Sequence, residues 1–301
     1  MKGTFDKLYI NYNGFCPSSW IALPNHDRRY DICKLTSENL KLENKLNFVK
    51  RIYRSYREAQ KIRGRKRKAL KQKAIRTAFY SQFLKPGQIS FDVGANMGNR
   101  TEAFLEIGCK VIAVEPQQEC VEHLQSIFGE NPNLVIVNKA LDKEPGQKEI
   151  YISDAHTLSS MSKEWIECVK SEDGPFKDFN WDTKVIVETE TLDALISQYG
   201  KPAFCKIDVE GFEYNVLQGL SQQIDALSFE FSMGVVDSTI KCIEYLAELG
   251  PTVFNYSLGE SLHMELPGYV DKSSIINILK NHPGGKSTGG DIYAKKKLII
   301  D

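Results

Sequence analysis

Several features are missing from this 301-residue chain, and each absence narrows what it can be. No run of about 18 uncharged apolar residues occurs, so no membrane-spanning helix is expected. The opening Met1-Lys2-Gly3-Thr4-Phe5-Asp6 lacks the apolar core of a signal peptide. None of the seven cysteines forms a C-x-x-C pair, which argues against a zinc site and against a disulfide framework. Cys109, Cys120, Cys168, Cys205 and Cys242 fall in or beside predicted core elements, so free thiols in a reducing, cytoplasmic setting are expected. There is no internal repeat and no low-complexity tract. Pro283 to Gly290 is glycine-rich, but it lacks the four-residue spacing of a phosphate-binding loop, and its Gly-Lys-Ser does not stand at a helix start after a strand.

What is present is a chain long enough, and at 42% hydrophobic residues apolar enough, for one α/β domain plus an extension. The division is drawn at 1–83 for the extension and 84–301 for the domain. Net charge is zero, yet residues 1–80 carry 20 Lys+Arg against 6 Asp+Glu, and the remainder carries 19 against 33. The basic excess peaks between Lys50 and Arg76, where Glu58 is the only acid. Leu42, Leu46, Val49, Tyr53 and Tyr56 recur at helical spacing and predict a helix with one apolar face. Packing of this basic arm on its own acidic domain is preferred to nucleic-acid binding, because no aromatic platforms are interleaved in the basic core. Peripheral contact of residues 50–76 with an anionic membrane stays open, and the oligomeric state is not legible.

The pattern beyond the arm alternates short apolar runs with helical stretches. Residues 1–38 read as irregular and about 39–83 as helical. Strands are predicted near 88–93, 110–115, 134–138, 203–208, 226–231, 252–256 and 291–295, with helices near 100–107, 117–128 and 238–249. Residues 142–202 are too long for one crossover helix. Lys148–Ile152 and Lys184–Thr189 read there as two extra strands bracketing a polar loop. The fold class is therefore α/β: a doubly wound, mostly parallel seven-stranded Rossmann-like sheet with a β insert between its third and fourth strands.

The first strand ends in Phe91-Asp92-Val93-Gly94-Ala95-Asn96-Met97-Gly98, followed by a helix from Thr101. Gly94 and Gly98 let the chain turn sharply, and the helix offers unpaired N–H groups to a ligand in the turn. The spacing differs from the dinucleotide fingerprint, since Asn96 stands at its third place and Gly98 falls fifth. The second strand ends in Glu115-Pro116, 23 residues after Asp92. A carboxylate near this distance accepts ribose hydroxyls in such folds, and as an acceptor-only group it can take both at once.

The order Asp-x-Gly-x-Asn-x-Gly resembles the first motif of class I S-adenosylmethionine (SAM) methyltransferases. Further on, Asp208-Val209-Glu210-Gly211-Phe212-Glu213, followed by Val216-Leu217-Gln218-Gly219, resembles the signature of FkbM-type methyltransferases. Asn138-Lys139-Ala140-Leu141, Ser159-Ser160, Thr191-Leu192-Asp193 and Gly290-Asp291-Ile292-Tyr293 match that family's other marks in order, over about residues 84–297. The resemblance implies a SAM-dependent enzyme acting largely on oxygen. The cofactor residues it and the strand ends suggest are Asp92, Gly94, Ala95, Asn96, Gly98, Thr101, Glu115, Pro116, Asn138, Ala140 and Asp208.

Asp92, Glu115, Asp208 and Glu230 all stand at predicted carboxyl ends of strands, where ligands lie in open α/β sheets. Asp208 is the first candidate for the base that takes the acceptor proton, with Glu210 beside it, since two near carboxylates raise one pKa. His156, in a polar loop, ranks below Asp208. Two carboxylates on one turn do not suffice for a metal, and none is expected. The expected acceptor is a hydroxyl on a small molecule, sugar, glycan or lipid. The alternatives are an N-methyltransferase on the same fold, a non-catalytic binding module, and a nucleic-acid modifier steered by the basic arm. The Asn/Asp-Pro-Pro-Tyr/Phe motif of base aminomethylases is absent.

Overall fold

The computed structural model describes residues 32–171, 174–285 and 287–297. Gly14, Pro17 and Pro24, and the opening residues, lie outside them. Helix α1, Ile32–Tyr80, begins seven residues before the expected helical start at residue 39. The chain divides into two compact units, Met1–Gly64 and Arg65–Asp301. The second unit thus begins earlier than the boundary drawn at residue 84. The reason is aromatic packing: Tyr80 is fully buried against Phe104 and Phe204, and Phe83 stacks between Phe204 and Tyr293 at ring separations of 4.7 and 5.6 Å.

Within the second unit, α1 is followed by β1 (Ile89–Val93), α2 (Asn99–Ile107), β2 (Lys110–Val114), α3 (Gln118–Phe128) and β3 (Leu134–Val137). Next come β4 (Ala140–Leu141), β5 (Gly146–Ile152), α4 (Lys163–Lys170), β6 (Thr183–Glu190) and α5 (Leu192–Tyr199). The chain then runs through β7 (Phe204–Ile207), α6 (Glu213–Gln218), β8 (Ala226–Ser232), α7 (Val236–Glu248), β9 (Thr252–Leu258), α8 (Lys272–Lys280) and β10 (Gly289–Lys296). All seven expected sheet strands form, in the order β3-β2-β1-β7-β8-β10-β9. The first five are parallel and β10 runs antiparallel to both of its neighbours. Helices α4, α5, α6 and α8 were not resolved by periodicity. They are six to nine residues long, barely two turns, too short for an apolar stripe to declare a period.

The sheet core is the dry apolar layer that sets the strand ends. Phe91, Val93, Cys205, Ile207, Leu227, Phe229 and Ile292 are buried on it, packed against Leu192, Leu195, Val216, Leu217 and Ile243 of the flanking helices. The insert forms its own three-stranded sheet, β4-β6-β5, rather than extending the main one. Its small core holds Tyr151, Leu158, Trp165, Val169 and Trp181, and the Trp181 indole N–H donates to the Leu158 carbonyl at 2.6 Å.

Of the basic stretch, Lys73 and Arg76 pair with Glu102 and Glu106 on α2, and these pairs lie within the second unit. Lys50 and residues 53–72 present exposed side chains, Tyr53 and Tyr56 among them. The docking expected for the whole stretch is limited, within the second unit, to those two cations. Among the described residues, no helix is long and apolar enough to cross a membrane.

Candidate functional site

The strand order reverses between β1 and β7, and a doubly wound sheet opens a crevice at such a point, beyond the carboxyl ends of its strands. Both turns at this crevice are shaped by glycine. Gly94 has φ +78°, and a Cβ there would lie 1.8 Å from the Asp208 carbonyl oxygen. Only a residue without a side chain lets the β1 and β7 turns touch. Gly211, φ +86°, has the Trp165 ring where its own Cβ would be, so α4 of the insert sits directly on the β7 turn.

One side of the crevice is a small cavity of about 50 Å³. Gly94, Asn96, Glu115, Pro116, Ala140 and His156 line it, together with Asp208 and Glu210. Glu115 is buried, and its carboxylate accepts from the Asn96 and Gln117 backbone N–H groups at 2.8 Å each and from the Gln117 side-chain amide at 3.3 Å. Burial nevertheless holds its pKa above the ordinary value. A carboxylate has about four acceptor sites. With three taken, one is left for a ribose hydroxyl, not the two that residue type alone allows. Asn138 donates its side-chain amide to the Glu115 and Pro116 carbonyls and so holds the end of β2.

Other residues of the expected set act behind this surface. Asp92 is buried, lines neither cavity of the crevice, and accepts a 2.5 Å bond from Thr101 Oγ1 that ties β1 to α2. Ala95 is packed against Ala113 and Leu124, and a Cβ on Gly98 would meet Leu124 and Phe128. His156 stands at the Glu115 end of the crevice. Its carbonyl accepts from Asn96 Nδ2 and Gln117 Nε2, and its side chain is exposed. Ser159 Oγ donates to Gln117 Oε1, and Ser160 Oγ donates to the Glu210 carbonyl at 2.6 Å. The insert loop is thus latched to both turns.

The other side is a cavity of about 270 Å³ between β7, β8, β10 and the insert. Trp165, Phe176 and Phe231 supply aromatic wall, and Glu230, Glu260 and Asp291 join Asp208 and Glu210 along its lining. The cations here are Arg100, paired with Glu260, and Lys206, which is fully buried on β7. Lys206 Nζ reaches Asp291 Oδ1 at 2.6 Å and Asp208 Oδ2 at 3.1 Å. Asp208, Glu210 and Glu230 bring carboxylate oxygens within 4.8 Å of one another, and an acid cluster of this kind does not by itself make a metal site. Burial opposes the charge on Asp208, yet Lys206 and Arg100 hold its carboxyl below the ordinary value. Burial, then the neighbouring charge of Asp208, pushes Glu210 well above it, and burial followed by Glu210 does the same to Glu230. Glu213 is buried and raised to about 7 by burial, and its Oε1 accepts from the Val209 and Gly211 N–H groups, which fixes the turn.

The two cavities share Asp208 and Glu210. Sequence reasoning had placed Asp208, Glu210 and Glu230 at strand ends but missed Lys206, Arg100, Glu260 and Trp165. A lysine inside the otherwise apolar Phe204–Ile207 was the available signal for the first. The other three come from segments whose proximity no spacing encodes.

A reversed-order sheet with a glycine turn and a strand-end carboxylate defines a Rossmann-like, nucleotide-cofactor-binding α/β protein. Residues 92–250 match the model of the methyltransferase FkbM domain, more than half of the chain, and the chain belongs to that family. It is accordingly a SAM-dependent methyltransferase. No curated protein matches the chain. Among solved structures, precorrin-6y C5,15-methyltransferase from Geobacter metallireducens is similar at 10% identity over 74% of this chain and 86% of that one, with TM-score 0.39. An rRNA methylase from Streptococcus thermophilus is similar at 10% identity over 74% and 94%, TM-score 0.38. SMU.1697c from Streptococcus mutans, a putative methyltransferase in complex with SAH, is similar at 11% identity over 73% and 95%, TM-score 0.38. Family membership rests on the sequence match.

The residues present fit SAM at the small cavity. Asn96 Oδ1 is buried there without a partner, Glu115 keeps an acceptor site, and Gly94 leaves the turn open. At about 50 Å³ this part of the crevice is smaller than the roughly 300–1,000 Å³ of small-molecule sites.

Proposed function

We propose that this enzyme methylates a hydroxyl oxygen of an uncharged acceptor, on a small molecule, sugar, glycan or lipid. The observation that carries the reading is the sharing of Asp208 and Glu210 by the two cavities. A group bound on one side and a hydroxyl bound on the other meet at carboxylates able to take a proton. When bound, SAM supplies a methyl group on a sulfonium sulfur, whose C–S electron pair returns to sulfur as the acceptor oxygen bonds the carbon. Glu115 and Asn96 hold the ribose end, and Asp208 offers negative charge to the cationic end. Glu210 and Asp208 are the two candidates for receiving the hydroxyl proton, and His156, at the far end, is placed to orient cofactor instead. Aromatic walls with carboxylates suit a neutral polyol, whose hydroxyls donate to the acids, and disfavour phosphate- or carboxylate-bearing acceptors.

The same carboxylates favour an amine as the second reading. Deuterium-methyl SAM offered with a neutral glycoside, a uronic acid and an alkylamine tests both, with mass spectrometry locating the label. Label on oxygen of the neutral glycoside and none on the uronic acid is expected. Label on nitrogen alone would replace the hydroxyl by an amine. The buried free thiols of Cys109, Cys120, Cys205 and Cys242 support the proposal that the enzyme works in the cytoplasm.

A further inference from the structure

Lys206 is the one described lysine buried beyond reach of solvent, and a buried ammonium is costly unless its partners are fixed. Its partners come from two strands. Asp291 belongs to β10; its Oδ1 accepts from Lys206 Nζ, while its Oδ2 accepts from the Tyr293 hydroxyl at 3.2 Å. Asp208 stands just past the end of β7. The Ile207 carbonyl takes a further Nζ bond at 3.2 Å. The ammonium is therefore held from behind by β10 and faces the seam between the cavities only through Asp208.

We propose that Lys206 is a positioning residue: it aims Asp208 at the seam and keeps it a carboxylate, which leaves Glu210 to receive the acceptor's proton. This rests on the reading of Asp208 and Glu210 as the proton-handling pair. Lys206 itself touches neither cavity. Several charges act on Asp208 from the surrounding elements: Asp92 on β1, Arg100 on α2, Glu210 and Glu213 on the β7 turn, Glu230 on β8 and Asp291 on β10. Arg100 is spent on Glu260, so Lys206 is the cation in direct contact with Asp208. Carboxylates this close cannot all ionise. The member next to the ammonium keeps its charge, and those further away protonate first; above its raised midpoint Glu210 is ionised and free to receive the acceptor's proton. In the transfer step the hydroxyl O–H bond breaks and its proton bonds to an ionised Glu210 oxygen, while the oxygen lone pair forms the bond to the methyl carbon and the C–S electron pair leaves with sulfur. Asp208 stays anionic throughout.

The test needs no acceptor. Carboxyl resonances of full-length protein with 13C-labelled Asp and Glu side chains are followed against pH, with Asp208→Asn and Glu210→Gln used for assignment. In the wild type Asp208 is expected to remain ionised below the ordinary aspartate range, and Glu210 to take up its proton above the ordinary glutamate range. Lys206→Met is expected to move the Asp208 midpoint up by about one pH unit or more, and Lys206→Arg to restore it. Asp291→Asn removes a negative charge behind Lys206 and is expected to move the Glu210 midpoint the opposite way, downward. A merely structural lysine produces no such pair of opposed shifts. An Asp208 midpoint equal in wild type and Lys206→Met overturns the proposal. If Lys206→Met does not fold, an unmoved Glu210 midpoint in Asp291→Asn overturns it instead. Failure of the hydroxyl reading itself shows separately, as label on nitrogen with these titrations intact.

Discussion

The two sides of the crevice solve different problems with different materials. On the cofactor side, backbone does most of the work: a glycine turn and amide N–H groups surround a single carboxylate with three of its acceptor sites already occupied. On the acceptor side, side-chain charge dominates: acids from the β7 turn, β8, β10 and the loop after β9 crowd a cavity whose lining cation, Arg100, is already paired with Glu260, while Lys206 pairs with Asp208 from behind. The first arrangement is built on turns that directly follow β1 and β2. The second is assembled from distant segments and holds its protons in a balance that one neighbour can tip.

The comparison breaks most completely at Gly94, where both sides touch. Gly94→Ala places a Cβ against the Asp208 carbonyl at a left-handed φ, so the two turns must part. Loss of all SAM-induced thermal stabilisation is expected, with a lower melting temperature in its absence. A variant that still shifts its melt with SAM would show that the turns can separate and bind.

Proton handling belongs to the carboxylates that the two sides share. Glu210→Gln is expected to lower turnover by about two to four orders of magnitude while leaving SAM affinity within a few fold. Asp208→Asn is expected to weaken SAM binding as well, because it removes the charge facing the cofactor's cationic end. Calorimetry together with single-turnover methylation separates them. Equal effects of both variants on affinity and rate would erase the division between the two acids.

Stability sharpens the contrast in another way. Burial raises the Glu213 pKa to about 7 from the ordinary glutamate value of 4.5. A raised folded-state pKa adds stability that is fully present below the unfolded value and is lost as pH rises through the folded one. Global stability should therefore fall between about pH 4.5 and 7, and Glu213→Gln should flatten this slope, by roughly 1–3 kcal/mol in total. Chemical denaturation at several pH values measures it. A wild-type stability that climbs across that window would mean that the N–H bonds to Glu213 outweigh its burial.

On the cofactor side the effects are smaller. Glu115→Gln is expected to cost about 1–3 kcal/mol of SAM affinity, since an amide accepts fewer bonds from the turn and the ribose. Smallest of all, Ser159→Ala removes a latch between insert loop and Gln117, and should raise the SAM association rate by a few fold without changing the fold. A slower association would mean that the loop is a wall that shapes the site rather than a cover that leaves it.

How much was legible divides along the same line. The glycine motif, Glu115 and the Asp208–Glu213 turn could be read directly, because each couples a strand end to a turn within a few residues. Even there, spacing overstated the direct role of Asp92, whose carboxylate faces Thr101 within the protein. Residue type also overstated the free acceptor capacity of Glu115. The second unit reaches back past residue 84 because Phe79, Tyr80 and Phe83 pack the chain around the end of α1 into the core. Short helices such as α5 and α8 showed too few turns to register.

By itself the sequence determined the order of strands, the sharp turn at Gly94 and the presence of acids at strand ends. These depend on local periodicity, on the conformational freedom of glycine and on which residues close a strand. Only the tertiary structure decided which acids share space, which one stands against a buried lysine, and that the insert's Trp165 presses on Gly211. Those facts depend on β10 entering the sheet beside β8, 85 residues from Lys206 to Asp291 along the chain, where electrostatic energy follows distance in space and nothing in the spacing of residues records it.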